Sequence, residues 1–290
     1  MFKSFTGLTV VEFDTICKGI ECKYRKYEIK RLWRKSRERK AGAGRQFKLH
    51  LQNRLLMLLV YYRLYITYTL TGFLFGIDQS SVCRNIQKIE PLVKRCLPIP
   101  QRLYKLTKRL KTPEEVEQYF PGFKAFVDTT EQQIPRPKDN GRRKIYYSGK
   151  RKRHTIKKEI MVNEQGKILY KSGYKTGHKH DYNIYKSNRP LTPKKVENVF
   201  DLGFLGVEKD FPEQKSSFPF KRKRNKSLSA EEKEYNRNHA KARVIVEHTI
   251  CSIKKFRIMS LIFRNRLKRY NRISNIVTGL VNYRVLNTVS

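Results

Sequence analysis

FKAFVDTT (123–130) alternates apolar residues like a central strand and predicts an acidic group, Asp128, at the strand's tip. A second short strand is expected in KKVENVFDLGF (194–204), ending at Asp201. HTIKKEIMV (154–162), a turn around Asn163 to Gly166, and KILYKSGY (167–174) read as a hairpin. A basic loop with Pro and Ser follows at 211–228, and then Ser229 and Glu232 form a capping box that opens a helix. Ala240, Arg243, Glu247 and Ile250 fall three or four apart along it. A last amphipathic helix is expected over Ile273 to Leu286. Strands come first and helices later, so residues 101–290 read as a mixed α/β domain.

Residues 1–100 read differently. The first 45 residues suggest short helices, a basic stretch from Lys23 to Lys40 and a loop at Ala-Gly-Ala-Gly (41–44). Leu51, Leu55, Leu58, Leu59 and Tyr62 recur at helical spacing. In ITYTLTGFLFGIDQSSVCRNIQKI (66–89), Gly76 stands where a left-handed backbone joins two helices, and Gly72 is small where they cross. Asp78 or Ser80 caps the second helix, and Val82 and Ile86 anchor its buried side. This is the pattern of a helix-turn-helix over about residues 50–90, whose second helix enters the major groove. Its outward face presents Gln79, Ser81, Arg84, Asn85 and Lys88, side chains that hydrogen-bond base edges or phosphates. The same pattern also fits an ordinary helical hairpin.

Charge favours the nucleic-acid reading. The chain has 290 residues, with 65 Lys and Arg against 25 Asp and Glu, a net +40. Such a surface attracts polyanions through phosphate neutralisation and counterion release. Hydrophobic residues make up 39%, enough for a packed core. The five cysteines are scattered and odd in number, which suggests reduced thiols. The start of the chain shows no leader-like apolar run. The longest apolar region, Leu55 to Ile77, carries Arg63 near its middle, which argues against a membrane span. A cytoplasmic, nucleoid-associated protein is the expectation. The block RRKIYYSGKRKRH (142–154) interleaves cations with aromatics, as a strand face gripping DNA backbone would, and marks Lys150, Lys152 and Arg153.

Carboxylates are scarce, so their placement is informative. Breaking or transferring a phosphodiester calls for an activated nucleophile and charge neutralisation, which two Mg²⁺ ions supply through oxygen ligands. A lone Asp after a strand is also an ordinary turn residue or cap; the weight rests on Asp128, Asp201 and Glu247 together. The stretches LLVYYRLYITYTLTGFLFGIDQSSVCRNI (58–86), VDTTEQQIPRP (127–137), YYSGKRKRHTIK (146–157), HDYNIYK (180–186), FDLGFLGV (200–207) and RVIVEHTICSIKKFRIM (243–259) resemble the DDE transposases of bacterial insertion sequences, in the branch akin to Harbinger elements.

That resemblance implies a ribonuclease-H-like catalytic domain at 101–290 behind an all-α DNA-binding domain at 1–100. It implies a catalytic, metal-binding triad of Asp128, Asp201 and Glu247, with two Mg²⁺ ions for which Mn²⁺ substitutes. An R-x3-E-x6-K signature falls on Arg243, Glu247 and Lys254, whose two cations handle DNA ends in related enzymes. The tyrosine expected three before the arginine is Ala240. The implied activity is cleavage and strand transfer at terminal repeats of double-stranded DNA by a homodimer or larger assembly. A DNA-binding protein without that activity, and an endonuclease that only hydrolyses, remain the alternatives. Asp181 receives no metal role, and His154, His178 and His180 read as phosphate contacts or structural residues rather than a zinc cluster. Without metal, the three anions are expected to stand loosely.

Overall fold

The computed structural model describes residues 1–36, 38–40, 43, 46–222, 224 and 227–288. The loop read at 41–44 therefore lies, Ala43 apart, outside the described residues, as do Lys223, Asn225 and Lys226 of the basic loop. Seven helices come first: α1 (Phe2–Thr6), α2 (Val10–Leu32), α3 (Leu51–Leu64), α4 (Tyr68–Phe75), α5 (Gln79–Cys96), α6 (Pro100–Thr107) and α7 (Pro113–Tyr119). The expected short helices before residue 45 are in fact α1 and one long helix, α2. A Thr9/Glu12 capping box opens α2, and it carries much of the basic stretch on its C-terminal half.

The turn between α4 and α5 is a local construction. Thr67 caps α4 by accepting from Leu70 N, and Gly76 ends it at φ 62°. A Cβ on Gly72 would stand 2.4 Å from the Ile77 carbonyl oxygen, so only glycine admits this close approach. Asp78, rather than Ser80, caps α5 by accepting from Ser80 N (2.9 Å) and Ser81 N (3.0 Å). Val82 and Ile86 are fully buried beneath.

Along the rest of the chain run β1 (Lys124–Gln133), α8 (Asn140–Tyr146), β2 (Tyr147–Ser148), β3 (Arg153–Val162), β4 (Ile168–Lys171), β5 (Lys175–Thr176), α9 (Asp181–Asn188), β6 (Glu197–Val199), α10 (Val207–Asp210), β7 (Ser216–Ser217), α11 (Ala230–Lys254) and α12 (Tyr270–Thr288). The strand order is β2-β3-β1-β6-β7, with β4 and β5 also paired to β3. β1 and β3 are antiparallel from Phe126↔Val162 to Gln133↔Thr155, whereas β1–β6 and β6–β7 are parallel. This is the mixed, helix-flanked sheet of a ribonuclease-H-like domain. The block at 142–154 is not one strand face: its first part is the end of α8, β2 is two residues long, and a turn separates it from β3. β7 lies inside the segment read as a basic loop.

Strand alternation sorts the core into two layers. Phe126, Ile156, Ile160 and Val162 pack in one cluster with residues of α3, α5, α11 and α12. Ala125, Val127 and Met161 face the other, with Tyr185, Phe200 and Phe204. Leu97 and Ile99, at the expected domain boundary, belong to the first cluster. Asn282 ties that junction to the sheet, donating to Pro98 O (3.1 Å) and Ile168 O (2.9 Å) while accepting from Ile168 N (2.8 Å). A second tie is ionic. Glu90 of α5, fully buried, pairs with Arg269 just before α12, lies 3.7 Å from Arg272, and accepts from Tyr62 OH at 2.9 Å. No helix among the described residues is long and apolar enough to cross a membrane.

Candidate active site

Asp128 is not at the tip of its strand. β1 runs on to Gln133, paired with β3 throughout. The parallel neighbour β6 pairs only with Lys124 to Phe126, so beyond that point this edge of β1 is open. Asp128 sits on the open stretch. Asp201 lies two residues past the end of β6, where its Oδ1 accepts from Gly203 N at 2.9 Å. The two strands are adjacent and parallel there, which brings both carboxylates to one place.

Arg243 of α11 faces both of them. Its Nη2 lies 3.8 Å from Asp128 Oδ2 and 4.0 Å from Asp201 Oδ2. On α11 the positions 243, 247, 251 and 254 form one stripe, because residues three or four apart share a helix face. Val246, Ile250 and Ile253 beside the stripe are buried and fix the helix on the sheet. Asp128, Asp201, Arg243, Glu247 and Lys254 therefore line a single cleft of about 350 Å³. Glu247 is exposed in it. Among the described residues no three acidic, His or Cys side chains stand close enough together to hold a metal ion as they are. The Arg243 guanidinium lies within 4.0 Å of two of the carboxylates.

Burial pushes the Asp128 carboxyl up to about 6, against the opposing pull of Arg243 and of the Thr129 N–H (2.7 Å); the charges of Asp201 and Asp181 add to the rise. The donors converging here are all carboxylate oxygens, which suits a hard divalent cation rather than a soft one. Two of them already approach one positive group, so the arrangement fits such an ion.

The structure adds residues that the sequence reading left out. Asp181, at the start of α9, lines the same cleft; a Cβ on Gly203 would lie 3.0 Å from Asp201 Oδ1 and 3.5 Å from Asp181 Oδ2. Lys157 Nζ stands 3.1 Å from Asp181 Oδ1 and 3.3 Å from Glu131 Oε1. Arg151 lines the cleft beside Lys150. One signal was available: in antiparallel register Glu131 falls opposite Lys157, an acid facing a base across two central strands. Of the hairpin cations, Lys150 lines this cleft, Arg153 a neighbouring one, and Lys152 is exposed in the turn at φ 53°.

On α5, Gln79 and Arg84 are exposed, with Ser81 and Lys88 half-buried. Ser81, Arg84, Asn85 and Lys88 line a cleft of about 820 Å³ between α5 and residues 46–49, and Gln79 lies outside it. Phe47 lies between Arg54 (3.8 Å from ring centre to guanidinium carbon) and Lys88 (5.1 Å). Asn85 shares that cleft with Arg84 and Lys88 but is more enclosed than expected. It is only 8% exposed, and its amide donates to Ser81 O at 2.9 Å, because at its point on the helix the side chain turns back along α5.

A family model described as DDE superfamily endonuclease matches residues 127–282, which includes all three acidic positions. A second, described as helix-turn-helix of DDE superfamily endonuclease, matches residues 47–99. The "Probable transposase for insertion sequence element IS702" of Microchaete diplosiphon is 32% identical over 250 residues, 85% of this chain and 85% of that protein. No solved structure matches the chain.

Proposed function

The chain belongs to the DDE superfamily endonucleases and is a DNA-binding, DNA-cleaving transposase, and on that premise we propose that its chemistry runs through Asp128, Asp201 and Glu247. The observation that carries this reading is the convergence of Asp128 and Asp201 on one guanidinium at the open edge of β1, with Glu247 one helical turn from Arg243. The three carboxylates would hold Mg²⁺, two ions for which Mn²⁺ substitutes. The bound cations supply Lewis-acid activation of a water or a 3′-hydroxyl and neutralise charge at phosphorus.

The protein groups have separate tasks. Arg243 balances the carboxylates and meets the scissile phosphate, and Lys254 does the same farther along the stripe. Lys150, Lys152 and Arg153 grip the backbone from the hairpin. On the DNA-reading side, Gln79, Ser81, Arg84 and Lys88 of α5 meet the terminal repeat, with Asn85 beside them in the cleft, its amide nitrogen held by Ser81 O. No Ser, Tyr or Cys nucleophile is called for, since phosphoryl transfer proceeds directly between water or hydroxyl and phosphorus.

In this reading residues 1–100 bind the element ends and residues 101–290 cut and join them. The buried ties at Glu90 and Asn282 support their acting as one piece. Two ends must be held at once, so the working form is a homodimer or larger on double-stranded DNA, in the cytoplasm at the nucleoid. The test is a cleavage and strand-transfer assay on terminal-repeat DNA with Asp201→Asn. Loss of both reactions with DNA binding retained is expected. Cleavage that survives the substitution removes the triad. Binding without cleavage by the unsubstituted chain would favour a plain DNA-binding protein, and cleavage without joining a hydrolytic endonuclease.

A further inference from the structure

The cleft at Asp128 does not end at Lys254. A second cleft of about 530 Å³ continues from it, sharing Glu131, Lys150, Arg151 and Lys254 and adding Arg153 and Ser260. One wall is the turn between β2 and β3, and the other is the C-terminal end of α11 and the residues just after it. Four of the six side chains named are cations. The one acid is already spoken for: Glu131 is paired with Lys157 at 3.3 Å from behind.

The turn itself needs an anchor. Residues 149–152 hold three consecutive cations whose mutual repulsion would splay them outward. The root of the turn is fastened instead. Ser148 Oγ donates to Glu131 (3.1 and 3.2 Å to its two oxygens) and accepts from Arg151 N at 3.3 Å. Arg151 Nε reaches to 3.8 Å from the same carboxylate. Glu131 is thus a nearly buried peg on β1, 9% exposed at its side chain, that pins a cationic wall over the groove.

The form of the groove selects its occupant. Its volume of about 530 Å³ is that of a small-molecule site, which suits a short stretch of one strand better than a duplex, whose grooves are read by protruding elements. No aromatic side chain lines it among the described residues, so it holds phosphates without stacking bases. It shares four lining residues with the cleft that holds the three carboxylates. We propose that this cleft is a subsite for a single DNA strand, the phosphodiester chain that runs on from the scissile phosphate, and that Glu131 is the positioning residue that fastens its wall. The proposal rests on Asp128, Asp201 and Glu247 being the reacting centre. It requires the DNA to be unpaired beside the cut, and it makes the affinity for that strand independent of base sequence.

The experiment compares a blunt duplex with the same duplex carrying a short oligothymidylate tail on its 3′ or its 5′ strand. Binding to the full chain is followed by fluorescence anisotropy in EDTA, where no cleavage intervenes. A tail of one polarity is expected to tighten binding by about tenfold, the scale of one or two charge-assisted contacts. The favoured polarity tells which side of the cut the cleft holds. Arg151→Ala combined with Arg153→Ala abolishes the gain, and an oligodeoxyadenylate tail gives the same gain as oligothymidylate. Glu131→Gln lowers the gain more than it lowers blunt-duplex affinity, a split that a general loss of stability would not produce, although loss of its buried pair with Lys157 also lowers the melting temperature. Should Glu131→Gln fail to fold, the exposed arginines carry the test alone. Equal affinity for tailed and blunt duplexes, or a gain that survives the double arginine substitution, overturns the proposal. The cleavage assay with Asp201→Asn judges the reacting centre separately. An absent tail gain beside a dead Asp201→Asn enzyme sinks the subsite alone.

Discussion

Around the turn between α4 and α5, the groups that set the geometry find partners within five residues: Thr67 with Leu70, Ile77 with Gly72, Asp78 with Ser80 and Ser81. Around Asp128 the partners come from far along the chain, Arg243 from α11, Asp201 from beyond β6, and Asp181 from α9. The first region satisfies its polar groups as it forms. The second gathers like charges on and beside a strand edge, Asp128 and Asp201 facing Arg243 and Asp181 facing Lys157. A recognition element can thus be built locally, whereas a site proposed to accept cations and a phosphate keeps charge only partly satisfied. The two are fastened together by Glu90, which sits on the recognition helix and pairs with the base of α12.

That fastening is where the comparison breaks most readily. Glu90→Ala leaves Arg269, which is 11% exposed at its side chain, without its buried counter-charge, and removing one partner of a buried pair costs about 3–5 kcal/mol. Thermal denaturation is expected to shift down accordingly, with binding and cleavage lost together. If only one of the two activities falls, the regions are less tightly coupled than the buried pair implies.

The next largest effect separates the regions by pH. On the proposed mechanism Asp128 must be ionised to ligate a cation, and burial pushes its carboxyl up to about 6. Cleavage should fall about tenfold per unit on the acid side of that value, while DNA binding by α5 stays level. Bound cation favours the ionised form, so raising its concentration moves the limb to lower pH. The stability linkage has the opposite sense. The fold keeps this proton where the unfolded chain has released it, so the contribution of Asp128 declines as pH rises from the usual carboxylate value to about 6. A cleavage profile flat across this range would mean that Asp128 does not titrate in the reaction.

The same contrast decides what could be read from the amino-acid sequence. The helix-turn-helix was legible almost residue by residue, since Gly72, Gly76, Asp78, Val82 and Ile86 act on neighbours at fixed spacing. Asn85 is more enclosed than its phase suggests, though it still lines the α5 cleft, because helical phase alone does not tell an outward side chain from one that also folds back on its own carbonyls. The acidic positions were proposed from strand pattern and resemblance, and the fold brings all three to one cleft. The position of Asp128 within β1 was not, because it depends on where β6 stops pairing. Glu131, Arg151, Lys157 and Asp181 went unassigned for a related reason: their roles arise from cross-strand register and from a turn folded against β1. α8 was hidden in a block whose alternation of cations and tyrosines imitates a strand.

Within the turn, Gly72 and Gly76 separate two reasons for having no side chain. At Gly72 the obstacle is a neighbour, the Ile77 carbonyl 2.4 Å from an added Cβ. Gly72→Ala must push α4 and α5 apart, at a cost of about 1–3 kcal/mol of the kind overpacking brings. Affinity for the terminal repeat should fall with stability, because the recognition helix shifts relative to its support.

At Gly76 nothing stands within 4 Å, and the constraint is the left-handed backbone itself, φ 62°. Gly76→Ala should therefore cost about 1 kcal/mol through the strained conformation alone. Gly76→Asn should cost less, since asparagine tolerates this region by bonding locally. Chemical denaturation of the two variants gives the comparison directly, and neither should alter cleavage of DNA already bound. Equal losses for alanine and asparagine would mean that the position is limited by space, as Gly72 is. A Gly76→Ala chain as stable as the original would mean that the turn relaxes out of the left-handed region, and the helix-turn-helix would then be less rigidly defined by its local sequence than the hydrogen bonds at Thr67 and Asp78 imply.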